Sequence, residues 1–281
     1  QTILQDTAEG KRDPVLTPHN QLNDLARPFI VQTITDLCSP PGGGKSFQIL
    51  QWLIHWTLQG ISAACFMLEE SREYHLHRAL VQLEGNPDLF DSDYIKANPE
   101  EVQAAYERHA DFLDELGKRI WAAPADQPTL DDLAAWAEER AREGEGIVII
   151  DAVAGATSKE GIWVADSQFL SKVKQTALRH HCSILLVTHP KKGHAAPSLD
   201  DLAGGAAYQR FSQTVLWLEK FKQARSVIAK TAVGRTTANV NAAIHICKAR
   251  NARGHGLSIG LQWDHKTLQF AEVGLILGTA K

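Results

Sequence analysis

Short apolar runs alternate with longer stretches of helical periodicity over most of the chain. Runs such as 147–150 and Ser183–Thr188 are apolar almost throughout, as expected of strands that are buried on both faces. The stretches between them are rich in Leu, Ala and Glu, which favour helices. This alternation predicts an α/β fold, in which helices flank a mostly parallel central sheet.

Turn residues and caps set the predicted boundaries. The helix-prone region 71–117 is interrupted at 85–87 and at 98–99, where Gly, Asn and Pro occur. Thr129 begins a further helix, and Asp132 three residues later forms a partial capping box with it. We predict strands at about 31–38, 63–68, 119–122, 147–150 and 183–188, and helices at about 45–59, 71–117 and 164–181.

The two ends of the chain differ from this pattern. From about residue 213 it changes to short strands joined by hairpins, and 264–267 has the composition of a tight hairpin connection. Residues 1–25 contain Pro14, Pro18 and scattered charges, which indicate an arm or linker. We therefore predict an arm over 1–25, followed by one domain over 26–281.

Composition excludes several classes of protein. The chain has 281 residues, of which 44% are hydrophobic and 22% charged, and this excludes wholesale disorder, collagen and a coiled coil. No apolar run approaches the roughly 20 residues of a membrane span, and no segment is typical of a secretion signal, so we expect a cytoplasmic protein without membrane contact. Because the net charge is −4, contact with nucleic acid requires a local basic patch.

The cysteines give no sign of a metal site. Cys38, Cys65, Cys182 and Cys247 form no CxxC pair, which argues against zinc. Each lies in or beside an apolar run, so we expect reduced thiols within the core.

The strongest chemical signal is the turn SPPGGGKS at 39–46, between a predicted strand and a predicted helix. Its glycines allow backbone N–H groups to surround phosphate oxygens, and the following helix N-terminus favours an anion. In such a P-loop the lysine reaches the β- and γ-phosphates, and the serine hydroxyl holds Mg²⁺. Ser39 stands where the pattern usually begins with Gly. The predicted ATP-binding residues are Pro41, Gly42, Gly43, Gly44, Lys45 and Ser46.

Three further polar side chains follow predicted strands, at the edge where ligands bind in parallel sheets. Asp151 follows IVII and is expected to hold the Mg²⁺ shell. Glu69, rather than the adjacent Glu70, is our candidate for the base that activates the attacking water. His189 follows SILLVT and is expected to sense the γ-phosphate.

Five ordered motifs resemble one family. They are PPGGGKS, MLEES, IVIID, LLVTHPKKG with LDDLAGGAAYQRFSQTVLWLE, and CKARNARGHG with the hairpin LQWDHKT. Over about 38–270 the chain resembles the RecA-like motor domain of DnaB-type hexameric replicative helicases. It looks closest to the helicase half of the bacteriophage T7 primase–helicase and of mitochondrial Twinkle. The resemblance implies a RecA-like P-loop NTPase that uses ATP and Mg²⁺, translocates on single-stranded DNA and forms a hexameric ring.

The resemblance also implies roles for individual residues. Arg250 would be an arginine finger in the neighbouring subunit's site, with Lys248 beside it; Arg235 and Arg253 are competitors. Trp263 and Lys220 would enclose the adenine, and Gln209-Arg210, reversed from the family's Arg-Gln order, leaves open which side chain contacts the nucleotide. The loop 190–202 would line the channel. Its candidate DNA-binding residues are Lys191, Lys192 and His194.

Some questions stay open at the level of sequence. Ala203 stands where the family often has Arg. Because the only methionine is Met67, we expect a piece of a longer protein, in which 1–25 is the remainder of a linker to a primase; a replicative polymerase is a further expected partner. The alternatives are a plasmid RepA-type helicase, a KaiC-like or RecA-like regulatory ATPase or recombinase, and a nucleotide-binding module without activity.

Overall fold

One sheet of nine strands organises the part of the chain that the structure describes. The computed structural model describes residues 2–122, 127–153, 162–191, 196–202 and 206–280. The strands are β1 (Ile34–Cys38), β2 (Ala63–Met67), β3 (Ile120–Ala122), β4 (Ile147–Asp151), β5 (Ser183–Thr188), β6 (Thr214–Thr231), β7 (Gly234–Ala249), β8 (Ser258–Asp264) and β9 (Gln269–Thr279).

Helices cover both faces of this sheet. They are α1 (Thr2–Ala8), α2 (Asn20–Ala26), α3 (Lys45–Leu58), α4 (Arg72–Glu84), α5 (Ser92–Ala97), α6 (Pro99–Gly117), α7 (Leu130–Arg142), α8 (Ile162–His180) and α9 (Ala206–Phe211). Short 3₁₀ helices occupy Pro87–Phe90 and Leu199–Asp201. No helix in the described ranges is long and apolar enough to cross a membrane.

The strand order is β3-β2-β4-β5-β1-β6-β7-β8-β9. The first six of these are parallel, and β6 to β9 pair in antiparallel fashion. The predicted mostly parallel sheet with C-terminal antiparallel strands is therefore confirmed. Because β5 separates β1 from β4, the strand before the P-loop and the strand that ends in Asp151 flank the strand before His189.

Two apolar clusters hold the layers together. Successive side chains of β1 point to opposite faces, so that Leu37 enters one cluster and Cys38 the other. The first contains Trp52 and Trp56 of α3 with residues of α2, α4 and α6. The second contains Phe169 of α8 with residues of α7 and α9. All four cysteines are free; three are buried and Cys247 is half-buried.

The N-terminal segment already packs against the rest of the protein before residue 26. His19 is buried, accepts a hydrogen bond from the Trp52 indole at 3.2 Å, and lies 3.2 Å from the Phe270 carbonyl oxygen. Leu22 of α2 is fully buried in the first cluster. The predicted boundary at residue 25 thus falls within a packed helix, while the division into arm and domain stays a prediction.

Most element boundaries agree with the sequence prediction, and a few differ. The strand expected from residue 31 begins at Ile34, because Gln32 has φ of 65° and turns the chain. The full capping box of Thr129 and Asp132 forms. The C-terminal strands β6 and β7 are 18 and 16 residues long, and not short as predicted. A register shift between Lys220 and Arg225 lets this long hairpin bend.

Candidate nucleotide site

The turn 39–46 connects β1 to α3 and is built closely around its glycines. Gly44 has φ of +93°, and a Cβ there would lie 2.7 Å from the Phe270 ring. A Cβ on Gly43 would lie 1.8 Å from the Ser39 Oγ. Side chains at these positions would therefore clash or strain the backbone, so this tight turn into α3 requires glycine. Ser39 itself is fully buried.

Lys45 lies inside the P-loop that it belongs to. Its ammonium donates hydrogen bonds to the carbonyl oxygens of Ser39 at 3.0 Å and Pro40 at 3.4 Å. Burial lowers its pKa, while the nearby carboxylates of Asp151 and Glu69 oppose this shift. A phosphate oxygen would be a stronger acceptor for this cation than two carbonyl groups.

Glu69, His189 and Lys45 form a chain of contacts at the carboxyl edge of the sheet. The Lys45 ammonium lies 3.3 Å from Nδ1 of His189, and Nε2 of His189 lies 3.5 Å from the Glu69 carboxylate. Since an ammonium only donates, Nδ1 accepts and Nε2 carries the proton. The contact with His189 lowers the pKa of Glu69, so this carboxylate is ionised near neutral pH, as a general base must be.

Asp151 and Ser46 fit a magnesium site that is completed by phosphate oxygens. Asp151 is buried and interacts with the Ser46 hydroxyl. Burial raises the pKa of Asp151 to about 6, and its Oδ1 has no partner among the described residues. A nearby dication would favour the ionised carboxylate and satisfy this oxygen. The described residues contain no cluster of three His, Cys, Asp or Glu side chains, so a cation here would rely on the nucleotide for further ligands.

Trp263 and Lys220 lie together beside the P-loop. The Lys220 ammonium is 4.5 Å from the centre of the Trp263 ring, and its Cδ lies 3.5 Å from where a Cβ of Gly44 would be. Trp263 also packs on Phe47 and Phe270, with ring centroids 5.2 and 4.5 Å apart. The two predicted residues are therefore adjacent to the phosphate turn. They are in direct contact, so a base between them requires Lys220 to move.

Lys248 and Arg250 lie at the opposite edge of the sheet. In the sheet register, Ala249 of β7 lies opposite Thr214 of β6, and Thr214 lies opposite Thr35, near the start of β1. The P-loop follows Cys38, at the other end of β1. Three residues of strand, about 10 Å, plus the turn itself separate the two edges. The Lys248 ammonium donates to the carbonyl oxygens of Gln209 and Ser212. This end of β7 is thus directed away from its own P-loop.

The other predicted residues have partners outside the P-loop or lie outside the described ranges. The Gln209 amide donates to the carbonyl of Leu199, and Arg210 lies over the ring of Phe211. Lys191 is exposed and its ammonium donates to the carbonyl of Asp200. Lys192, His194 and Ala203 lie outside the described residues.

Asp36 is a buried carboxyl group that the sequence analysis did not select. It is fully buried in the middle of β1 and accepts a 2.7 Å hydrogen bond from the hydroxyl of Thr188, the residue before His189. Burial raises the pKa of Asp36 to about 7. The signal that would have revealed it is one acidic residue within the apolar run ITDLC. Asp36 thus supports the strand end that presents the predicted sensor.

We expect the Asp36→Asn variant to lose part of the pH dependence of stability. Between pH 4 and 7 the folded chain holds a proton on Asp36 that the unfolded chain has released, so this group's stabilisation falls as pH rises through that range. The free energy of unfolding of the wild type, relative to the variant, should fall by at most about 4 kcal/mol over these pH values. Urea unfolding at each pH measures this difference in free energy. The control is Asp111→Asn, which makes the same substitution at an exposed residue. Parallel curves for the wild type and Asp36→Asn would show that Asp36 does not titrate in this way.

Comparison with known proteins identifies both the fold and the family. A family model described as an AAA domain (AAA_25) matches residues 6–195. No curated protein sequence matches the chain.

Two solved structures have the same fold over nearly the whole chain. The ATPase domain of G40P aligns with 97% of this chain and 96% of its own length, with a TM-score of 0.73 and 14% identity. A DnaB-like replicative helicase, described with its interactions with primase, aligns with 96% of this chain and 65% of its own length, with a TM-score of 0.71 and 14% identity.

The predicted resemblance to DnaB-type motor domains is therefore confirmed for the fold, and the closer resemblance to the T7-like proteins stays a prediction. The family match extends over more than half of the residues and includes the P-loop, Glu69, Asp151 and His189. The chain belongs to the AAA domain family.

Proposed function

We propose that this chain is the ATP-dependent motor of a replicative DNA helicase, which forms a ring, translocates on single-stranded DNA and separates duplex DNA. The proposal rests on the observation that the candidate catalytic residues lie at two opposite edges of the sheet, where the strands begin and where they end. Lys45, His189 and Glu69 are in contact at one edge of the sheet, and Arg250 lies at the other edge. A site divided in this way is completed when the edge of one subunit meets the P-loop of the next.

The P-loop edge supplies the groups for hydrolysis. Backbone N–H groups of 42–44 and the Lys45 ammonium bind the phosphates, which replaces the lysine's contacts with Ser39 and Pro40. Glu69 accepts a proton from the attacking water, and the Nε2 proton of His189 holds the carboxylate in position. Mg²⁺, held through Ser46 and Asp151, would neutralise charge on the phosphate oxygens. Trp263 and Lys220 contact the base once Lys220 has moved.

The neighbouring subunit contributes the remaining charge. Arg250 is exposed at the end of β7, and its guanidinium suits the charge that develops on a transferred phosphoryl group. Lys248 holds the adjacent backbone by its bonds to Gln209 and Ser212. Burial lowers the pKa of Lys248 to about 8. In this arrangement Gln209 and Arg210 belong to the same subunit interface as Arg250.

The loop 190–202 is the proposed contact with single-stranded DNA. It follows His189 directly and carries Lys191, Lys192 and His194. A ring presents this set once per subunit, so a channel can be basic although the chain has a net charge of −4. The DnaB-like structure is described with primase interactions. A primase and a replicative polymerase are accordingly the partners that we propose for the parent protein, in a bacterial cell or a phage-infected host.

The function is tested by measuring ATP turnover with and without single-stranded DNA, together with unwinding of a forked duplex. We expect DNA-stimulated turnover and ATP-dependent unwinding, and Lys45→Ala should lose both because the phosphates lose their main cation. ATP-dependent oligomers without unwinding would instead favour a KaiC-like or RecA-like regulatory ATPase or recombinase. Absence of turnover in the wild type would favour a nucleotide-binding module. Both results would contradict the helicase assignment.

A further inference from the structure

The segment 220–271, within the C-terminal strands, has a net positive charge although the chain as a whole is acidic. Residues 220–271 contain nine Lys or Arg residues and one acidic residue, Asp264. The rest of the chain is therefore more acidic than the overall charge of −4 indicates. A strong asymmetry of charge within one domain is typical of a surface that contacts nucleic acid.

Part of this segment is the distal half of the β6–β7 hairpin, residues 226–239. Val227 and Ala229 of β6 are buried against a small cluster that includes residues of β9. The alternate residues point away from this cluster. Val233, next to the turn, is fully exposed. We define the outer face by the three cross-strand pairs that point outward. They are Ser226 with Asn239, Ile228 with Thr237, and Lys230 with Arg235.

The last of these pairs is unfavourable for folding. Lys230 and Arg235 are both exposed and stand directly opposite each other, and like charges in this position destabilise a sheet. Neither forms an ion pair within the described ranges, whereas Arg225, on the other face, lies 3.6 Å from the Glu219 carboxylate and stacks on Phe221. A bound anion between the two cations would remove the repulsion.

Apart from the apolar Ile228, the remaining residues of the outer face are polar and suit a phosphate backbone. The hydroxyls of Ser226 and Thr237 and the amide of Asn239 can donate hydrogen bonds of the kind that phosphate oxygens accept in protein–DNA interfaces. The face contains no aromatic residue, whereas surfaces that hold single strands usually stack bases on aromatic rings. Charge complementarity together with the lack of a stacking platform favours duplex DNA over single-stranded DNA.

We propose that the outer face of the β6–β7 hairpin binds the phosphate backbone of duplex DNA. This contact is separate from the single-strand contact proposed for 190–202. It carries no sequence specificity, because it reads the backbone and not the bases. In a helicase it would hold the duplex that has not yet been separated.

Binding to a short blunt-ended duplex by the full chain, without nucleotide, tests this proposal. The double variant Lys230→Ala/Arg235→Ala should bind about ten-fold or more weakly at low salt. Its slope of log K against log salt, measured between about 50 and 200 mM, should be shallower by about 2, since each lost phosphate contact removes about 0.9. Oligo-dT of the same length is the single-strand probe, and its binding should change little.

The matched control is Lys96→Ala/Lys118→Ala, which removes two exposed cations that pair with carboxylates elsewhere. It should bind duplex as the wild type does. The hairpin variant should melt at or above the wild-type temperature, because it removes a like-charge pair. Equal duplex binding by both double variants would overturn the proposal, as would a loss confined to oligo-dT. This experiment needs no ATP turnover, so its failure is distinct from failure of the helicase assignment.

Discussion

Replacement of Glu69 by glutamine is expected to lower ATP turnover by about 10²- to 10⁴-fold, the usual contribution of a general base. The amide keeps the size of the side chain but cannot accept a proton from water. Nucleotide affinity should be preserved, because Lys45 and the glycines of the P-loop bind the phosphates. Steady-state phosphate release and titration with a fluorescent ATP analogue measure the two effects separately.

Glu70 provides the control for this experiment, since it is the next residue and is also exposed. Glu70→Gln should turn over ATP at nearly the wild-type rate. If Glu70→Gln is the inactive variant and Glu69→Gln is not, the catalytic base has been assigned to the wrong carboxylate. A large loss of nucleotide affinity in Glu69→Gln would instead indicate that Glu69 maintains the shape of the site through His189.

Replacement of Arg250 by alanine is expected to reduce turnover still further, by about 10³- to 10⁵-fold, which is the range known for arginine fingers. The physical reason is the loss of the positive charge nearest to the transferred phosphoryl group. Arg250→Lys should recover little, because an ammonium does not reproduce the planar, forked geometry of a guanidinium.

Mixing two inactive variants tests whether Arg250 acts on a neighbour. Lys45→Ala chains keep Arg250, and Arg250→Ala chains keep Lys45, so one type of interface in a mixed ring contains both groups. An equimolar mixture should recover up to about a quarter of wild-type turnover if the subunits combine at random. A finger that acts within its own chain predicts no recovery. Arg253→Ala, on the same exposed turn, should remain active, and its inactivity would favour Arg253 as the finger.

Much of the P-loop edge could be predicted from sequence because it depends on local rules. The glycines of 42–44, Lys45 and Ser46 are consecutive. Glu69, Asp151 and His189 lie at or just after the ends of buried strands, where ligands bind in parallel sheets. The structure brings Glu69, His189 and Lys45 into contact, as this reasoning implies. Predicting the parallel sheet was thus enough to group these side chains.

Other features depend on contacts between distant parts of the chain, and the sequence pattern could not show them. The contact of Lys220 with Trp263 joins residues of β6 and β8, which are not neighbours in the sheet. The burial of His19 depends on Trp52 and Phe270. The length of β6 and β7 follows from their pairing with each other and from the pairing of β6 with β9, which stabilise polar strands of low apolar periodicity.

The residues that directly follow β5 connect the nucleotide site to the loop that we propose binds DNA. The candidate sensor His189 and Lys191, at the start of the proposed channel loop, are separated only by Pro190, whose ring fixes φ. At about 3.5 Å per residue, the two lie within roughly 7 Å along the chain. The Lys191 N–H donates a hydrogen bond to the Asp201 carbonyl oxygen, and Pro190 lies opposite Leu202 in an isolated antiparallel β-bridge, so the chain is held just beyond the strand. We therefore expect any displacement of His189 to move the backbone at Lys191 as well, because only the rigid Pro190 lies between them.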